Sequence, residues 1–270
     1  MRATSASVGA ILVGASVRAQ SLVEPFDDIA EMPGWVEINQ SNPVGASGWF
    51  QGNDQVFAAH AGAPDAYIAA NFNCAGSAPG LQNLWLLTPV LTLRNGERFT
   101  FSTRTVEESG FADRLQVRLS TAGASTNVGG IDGISVGDFS TLLADINPTY
   151  QLGGAYPEVW TEYSITLAGL PTMGVQGRIA FRYFVEGGGT FGVHGNYIGI
   201  DTLSLAPADC AANCDGSTAT PRLNVADFIC FMNRFAAGDE RANCDESTTP
   251  PMLNVADFIC FNNVFQAGCS

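Results

Sequence analysis

The stretch Asn213-Cys214-Asp215-Gly216-Ser217 sets a side-chain oxygen at every second residue, and it leads into Leu223-Asn224-Val225-Ala226-Asp227-Phe228. At an offset of 30 residues (243 − 213), Asn243-Cys244-Asp245-Glu246-Ser247 leads into Leu253-Asn254-Val255-Ala256-Asp257-Phe258. Between 213–235 and 243–265, 17 of 23 positions are identical. Alternate residues of a curled loop converge on one point. A hard cation such as Ca²⁺ takes several carboxylate, amide and carbonyl oxygens from such a loop. A repeat at fixed spacing means two copies of one supersecondary unit.

The elements that must carry these oxygens are helices. Phe228, Phe231, Met232 and Phe235 fall at i, i+3, i+4 and i+7, and Phe258, Phe261 and Phe265 repeat the stripe. Asn224 followed three residues later by Asp227 is an N-cap with a capping-box variant, and Asn254 with Asp257 repeats it. Six of the seven Cys lie in 210–270. Cys214 and Cys230 are 16 apart, as are Cys244 and Cys260, so a loop-to-helix bridge within each copy is the economical pairing. Cys210 and Cys269 flank the repeats and are placed to clasp their ends. Six Cys allow 15 connectivities, and the other pairings stay open.

Twelve basic against 26 acidic residues give a net charge of −14, with every base an Arg. Nucleic acid needs clustered Lys and Arg, so that class is excluded. Residues 1–19 read as a secretory signal peptide: Arg2, the apolar run Ala10–Ala15, then Val17-Arg18-Ala19 before Gln20. A Cys-dense tail fits export as a disulfide framework. Cys74 is left over as a small buried hydrophobe.

Residues 20–206 hold short apolar or alternating runs broken by Gly, Pro, Asn and Ser, among them Leu84–Leu87, Phe99–Arg104, Ile179–Val185 and Tyr197–Leu205. Leu115–Leu119 alternates with period two, the pattern of a half-buried strand. One short helical turn is expected within Phe139–Ile146. The whole is mainly β, an antiparallel sandwich. Catalysis finds little support. Gly133-Ile134-Ser135-Val136-Gly137 matches a nucleophile-elbow pattern but lacks the strand–turn–helix context that makes Ser135 reactive. His60 and His194 have no Cys or Glu at metal-ligand spacing. Trp35, Trp49, Trp85 and Trp160 could line a sugar-binding face, although such residues more often fill a core.

Two family resemblances emerge. Glu24-Pro25-Phe26-Asp27-Asp28, Pro33-Gly34-Trp35, Ala59-His60-Ala61-Gly62, Trp85-Leu86-Leu87-Thr88-Pro89, Asp113–Ser120, Gly177–Tyr183 and Tyr197-Ile198-Gly199-Ile200-Asp201 together resemble the choice-of-anchor J domain, a relative of the cleaved-adhesin domain. That implies a jelly-roll β-sandwich on an exported, surface-associated protein, with no known enzymatic activity. Similar modules hold a structural calcium where the first and last strands meet; Asp27, Asp28 and Asp201 would serve, with Glu24 as a further ligand. The plainer reading has Asp201 pairing with Arg or capping a turn.

The tail resembles a dockerin of the Cys-containing GC type. The resemblance implies Asn213, Asp215 and Ser217 as early calcium ligands with Asp227 as the late carboxylate, and Asn243, Asp245, Ser247 and Asp257 as the second set. It departs from the family in its Asn first ligands, in about three extra residues before Leu223, and in Glu246 replacing a turn Gly. Dockerins bind cohesins through the start of each helix, here Val225-Ala226 and Val255-Ala256. The expectation is therefore a signal peptide (1–19), a jelly-roll domain (20–206) and a dockerin-like domain (207–270, repeats 213–235 and 243–265). This would be a non-catalytic, exported protein attached through calcium-dependent binding to a cohesin-like or envelope protein. The alternative is a carbohydrate-binding or carbohydrate-active extracellular protein.

Overall fold

A computed structural model describes residues 22–77, 79–171, 174–206, 212–217, 223–245 and 247–267. The expected signal peptide, Pro207-Ala208, Cys210, Glu246 and Cys269 lie outside these residues.

Twelve strands form two antiparallel sheets. They are β1 (Leu22–Glu24), β2 (Val36–Asn39), β3 (Phe50–Gln51), β4 (Ile68–Asn71), β5 (Gly80–Leu87), β6 (Leu91–Leu93), β7 (Arg98–Thr105), β8 (Leu115–Ser120), β9 (Thr141–Ile146), β10 (Thr161–Thr166), β11 (Val175–Gly188) and β12 (Tyr197–Ala206). The first sheet runs β10-β7-β12-β4-β3, with β1 on β12; the second runs β2-β5-β11-β8-β9, with β6 on β11. The first and last strands pair, Glu24 opposite Leu203. Between the sheets lies one core, in which Phe99, Phe101 and Phe181 interlock at ring separations of 5.0–5.8 Å. All three rings are fully buried, each worth roughly 1.5–3 kcal/mol over exposure.

Two local expectations are corrected. Thr141–Ile146 is strand, with no helical turn, because β9 completes the ladder beside β8. And β8 is buried on both faces, not one. The segment between β8 and β9 folds over the outer face of the second sheet, where Phe139 packs on Trp85 at 5.7 Å. Beneath it Arg182, 2% exposed, donates to Asn83 Oδ1, Gln116 Oε1 and Gly133 O and lies over the Phe184 ring at 3.8 Å. Burial lowers this guanidinium's pKa to about 9.

Cys74 is free and fully buried, and burial raises its thiol pKa to about 11. Thiolate is the reactive form, so iodoacetamide at neutral pH should leave native Cys74 unlabelled and label it only after unfolding. Mass spectrometry of the native and denatured protein checks this.

The C-terminal segment holds two helices, α1 (Val225–Ala237) and α2 (Val255–Ala267). Disulfides join Cys214 to Cys230 and Cys244 to Cys260, each tying a loop to its helix. Phe231 and Phe261 stack across the pair at 4.1 Å and 11°. Gly238, at φ 70, closes α1 in a left-handed cap whose N–H reaches Phe235 O. Among the described residues no helix is long and apolar enough to cross a membrane.

Candidate functional sites

In the first C-terminal repeat, the Asn224 side chain accepts from Ala226 N–H at 2.8 Å, while Asp227 Oδ2 accepts from Asn224 N–H at 2.9 Å. This capping box turns the Asp227 carboxylate back over the loop, where Oδ1 accepts from Asp215 N–H at 3.2 Å. Asp215 Oδ1 in turn accepts from Ser217 N–H at 2.8 Å. Asn213 spans the loop by donating to Ser217 O at 3.0 Å. The second repeat builds the same figure. Asp257 accepts from Asn254 N–H at 2.8 Å and Asp245 N–H at 3.3 Å, and Asn243 donates to Ser247 O at 2.9 Å. The two copies thus repeat in hydrogen bonding as they do in sequence.

Asp227 and Asp257 are fully buried. Burial opposes ionisation of Asp227, but N–H donation from Asn224 and Asp215 outweighs it and lowers its pKa. Asp245 is lowered chiefly by Ser247 N–H. Each loop therefore holds two acidic residues joined through a backbone N–H, and among the described residues none of the four forms an ion pair. One further atom bears on metal fit: among the described residues Asn213 Oδ1 is buried with no hydrogen-bond partner. Its counterpart, Asn243 Oδ1, accepts from Ser247 N–H at 3.1 Å. The donor set suits Ca²⁺ in kind, and the first loop keeps an uncommitted oxygen.

Helix starts are open. Val225 and Val255 are each 71% exposed, and one turn on Ile229 and Ile259 are each 54% exposed. Phe228 and Phe258 turn inward and meet edge-on at 6.0 Å. Met232 shares the helical spacing of the Phe stripe, yet it is exposed, because the Phe231–Phe261 stack sets the helix rotation. Ile229 and Ile259, which sequence reasoning passed over, extend the apolar face that Val225 and Val255 begin.

In the sandwich, Asp201 sits on β12 where the β7 register slips between Asp201 and Ser204. It is fully buried, and its carboxylate accepts from His60 N–H (2.8 Å), Ala61 N–H (3.0 Å) and Thr202 N–H (2.5 Å). Burial nevertheless raises its pKa. Thr202 has φ 53, and Phe26, two residues past the end of β1, has φ 55. Non-glycine residues in that region store strain, which clusters at functional sites. A cleft of about 290 Å³ is lined by Glu24, Ala61, Gly62, Glu162 and Asp201, among others. Asp27 reaches the same loop: a Cβ on Gly62 would lie 3.1 Å from its Oδ1. Burial raises the Glu24 pKa, with the Asp27 charge adding to the rise.

So Glu24, Asp27 and Asp201 gather around one loop. Asp28 does not join them; its Oδ1 caps the short 3₁₀ turn Ile29–Glu31 through Ala30 N–H. Among the described residues no three His, Cys, Asp or Glu side chains come together in metal-holding geometry. An ion here would need backbone or amide oxygens in addition.

Among the described residues no His side chain hydrogen-bonds the Ser135 hydroxyl. That hydroxyl meets Gly137 N–H, while His60 Nδ1 bonds Thr202 Oγ1 and His194 Nδ1 bonds Glu186 O. Trp49 and Trp85 are buried, and Trp160 packs edge-on against Phe57 and Tyr67. Trp49 and Trp85 thus fill the core, the commoner role for such residues, while Trp35 and Trp160 are half-buried. The exposed aromatics are Phe111 and Phe191, which sequence reasoning did not single out.

No family model matches the chain, and no curated protein matches it. Among solved structures, it is similar to the K1 cleaved adhesin domain of Lys-gingipain from Porphyromonas gingivalis W83, with TM-score 0.48 and 20% identity over 71% of this chain and 99% of that one. The K2 domain of Lys-gingipain gives 0.44 and 18% over 69% and 99%. TmCBM61, solved in complex with beta-1,4-galactotriose, gives 0.37 and 13% over 67% and 93%. The chain is thus built on a β-sandwich that distantly resembles the cleaved adhesin domains of gingipain.

Proposed function

We propose that this is an exported, non-catalytic protein of the cell surface or extracellular space. Its β-sandwich, a choice-of-anchor J domain over 20–206, acts as an adhesin-like binding module. Its C-terminal segment, 207–270, is a dockerin-like module that attaches the protein to a cohesin-like or envelope partner. The observation that carries this reading is the duplicated apolar face. Val225 and Ile229, and Val255 and Ile259, have the same exposures in the two copies, each directly after a loop of oxygen donors. Paired exposure of large apolar side chains marks an interaction surface.

Calcium is part of the proposal. In the tail it would be held by Asn213, Asp215, Ser217 and Asp227, and by Asn243, Asp245, Ser247 and Asp257. In the sandwich Glu24, Asp27 and Asp201 would contribute. The ion would neutralise clustered carboxylates and fix loop shape. The chain's own contribution is to preset those loops through the capping boxes and the disulfides, and to leave the Val225 and Val255 side chains exposed at the helix starts. The disulfides also fit an oxidising, extracellular location.

Deleting 207–270 tests the attachment. The truncated protein should appear in the medium while the full chain stays with the cells, as read by immunoblotting of both fractions. Retention of the truncated form on cells would refute the role assigned to the tail.

A further inference from the structure

One end of the sandwich carries a surface that the attachment role leaves unused. Strands β7, β9 and β11 finish there, and β12 begins there. Its opposite end, at Ala206, leads on to the C-terminal segment. Three loops at this end expose large apolar side chains: Phe111 (47%), Leu152 (56%), Phe191 (72%) and Val193 (67%). Phe111 stands between two adjoining clefts. It shares one with Leu152 and Glu158. It shares the other, of about 120 Å³, with Phe72, Asn196 and the glycines of the Phe191 loop.

These loops are held in place. Buried Asp113 accepts from Asn196 N–H (2.7 Å), Thr105 Oγ1 (2.6 Å) and Tyr183 Oη (2.5 Å). Asn196 Nδ2 reaches Ser109 Oγ (2.9 Å), and Ser109 Oγ donates to Phe111 O (2.8 Å). Val193 N–H donates to Gly187 O at 2.8 Å. Glu108, Asn147 and Tyr150, all in loops at this end, have φ of 53–58, a strained geometry kept only where the surroundings enforce it. A preset apolar surface loses little entropy on binding.

The rim is acidic. Glu158 accepts from Glu108 N–H at 3.2 Å, and Glu107 and Glu186 have side chains 68% and 65% exposed. The nearby bases are withdrawn. Arg104 and Arg114 are only 12% and 13% exposed; Arg104 pairs with Glu107, and Arg114 pairs with Asp145 at 2.6 Å and with Glu186 at 3.9 Å, so four rim carboxylates face two inward-held bases. No charged side chain borders the 120 Å³ cleft itself.

We infer that this end of the sandwich binds a protein segment whose apolar side chains are flanked by Arg or Lys. An apolar chain or guanidinium stem enters between Phe72 and Phe111, and Phe191 and Val193 cover it. The cationic groups meet Glu108 and Glu158 first, and the exposed outer oxygens of Glu107 and Glu186, whose other sides face Arg104 and Arg114. Aromatic anchors within a polar rim carry most of the energy in such interfaces, and opposite charge sets the choice of partner. This deepens the reading of the sandwich as a binding module and rests on it.

The test uses the full chain and calorimetric titration with an amidated Arg-Leu-Arg-Phe-Arg peptide, its Glu-for-Arg counterpart, and cellotetraose. The expected result is binding of the basic peptide alone. Binding should weaken about tenfold or more in Phe111→Ser and Phe191→Ser, and should weaken as NaCl rises from about 50 to 500 mM. Both Phe are substantially exposed, so the variants should keep the parental melting temperature; a variant that does not is replaced by Glu108→Lys, read the same way. Three outcomes would overturn the inference: no binding of the basic peptide, equal binding by the Ser variants, or equal binding of the acidic peptide. Cellotetraose binding that Phe111→Ser abolishes would assign the cleft to glycans and overturn it too. Retention of the full chain on cells is read separately, so loss of peptide binding leaves the attachment role standing.

Discussion

Replacing Phe261 with Ala is expected to cost about 3–5 kcal/mol and to unfold the C-terminal segment while the sandwich stays folded. Phe261 is 1% exposed and stacks on Phe231 at 4.1 Å. It also contacts Phe228 and Phe265 at ring separations of 6.0 and 5.8 Å. The fully buried core around it is small: Ala212, Cys214, Phe231, Ala242 and Phe261. A unit of this size has little surplus stability, so one cavity removes it. Calorimetry of the full chain should lose a separate tail transition, and trypsin should cut at Arg234 and Arg241 while Arg182 stays protected. Phe231→Ala should do the same. The double variant should fall short of additivity by about 0.5–1.5 kcal/mol, the worth of an aromatic pair. If the Phe261→Ala tail kept its transition, the disulfides rather than the ring stack would be holding the segment together.

Asp201→Ala should destabilise the sandwich by about 3 kcal/mol or more. Three backbone N–H groups, from His60, Ala61 and Thr202, would lose a charged acceptor together, at about 1–1.5 kcal/mol each, because these residues are exposed and water can take the place of the carboxylate. For a domain of this size that lowers Tm by roughly 6–12 °C. Asp201→Asn keeps one acceptor oxygen and should cost less. The same pair of variants tests calcium. If Glu24, Asp27 and Asp201 hold the ion, calcium should raise the wild-type sandwich Tm over that in EGTA, and Asp201→Asn should abolish the rise. A wild-type Tm that ignores calcium would leave Asp201 as a pin between β12 and the Ala61–Gly62 loop, and nothing more.

Local pattern and long-range structure divide the molecule cleanly. Sequence alone carried the 30-residue repeat, the capping boxes of Asn224/Asp227 and Asn254/Asp257, the Phe stripes, and an antiparallel sandwich ahead of two helices. These features depend on residues a few positions apart, and side-chain periodicity records them. It failed where burial depends on distant partners. Met232 fits the helical stripe but is exposed, because the Phe231–Phe261 stack orients α1. Leu115–Leu119 alternates yet is buried on both faces, because the segment after β8 folds back over it.

The candidate sites follow the same division. The tail donors were visible because each set lies within one short stretch. That Asp201 meets the His60–Ala61 loop, 140–141 residues away, was decided by the pairing of β12 with β4, whereas Asp28 turns aside through a local cap on Ala30 N–H. The Phe111, Leu152, Phe191 and Val193 surface comes from three loops with no shared motif. Its members meet only because β7, β9 and β11 end on the same side of the sandwich, and strand pairing over such separations leaves no periodic trace in the sequence.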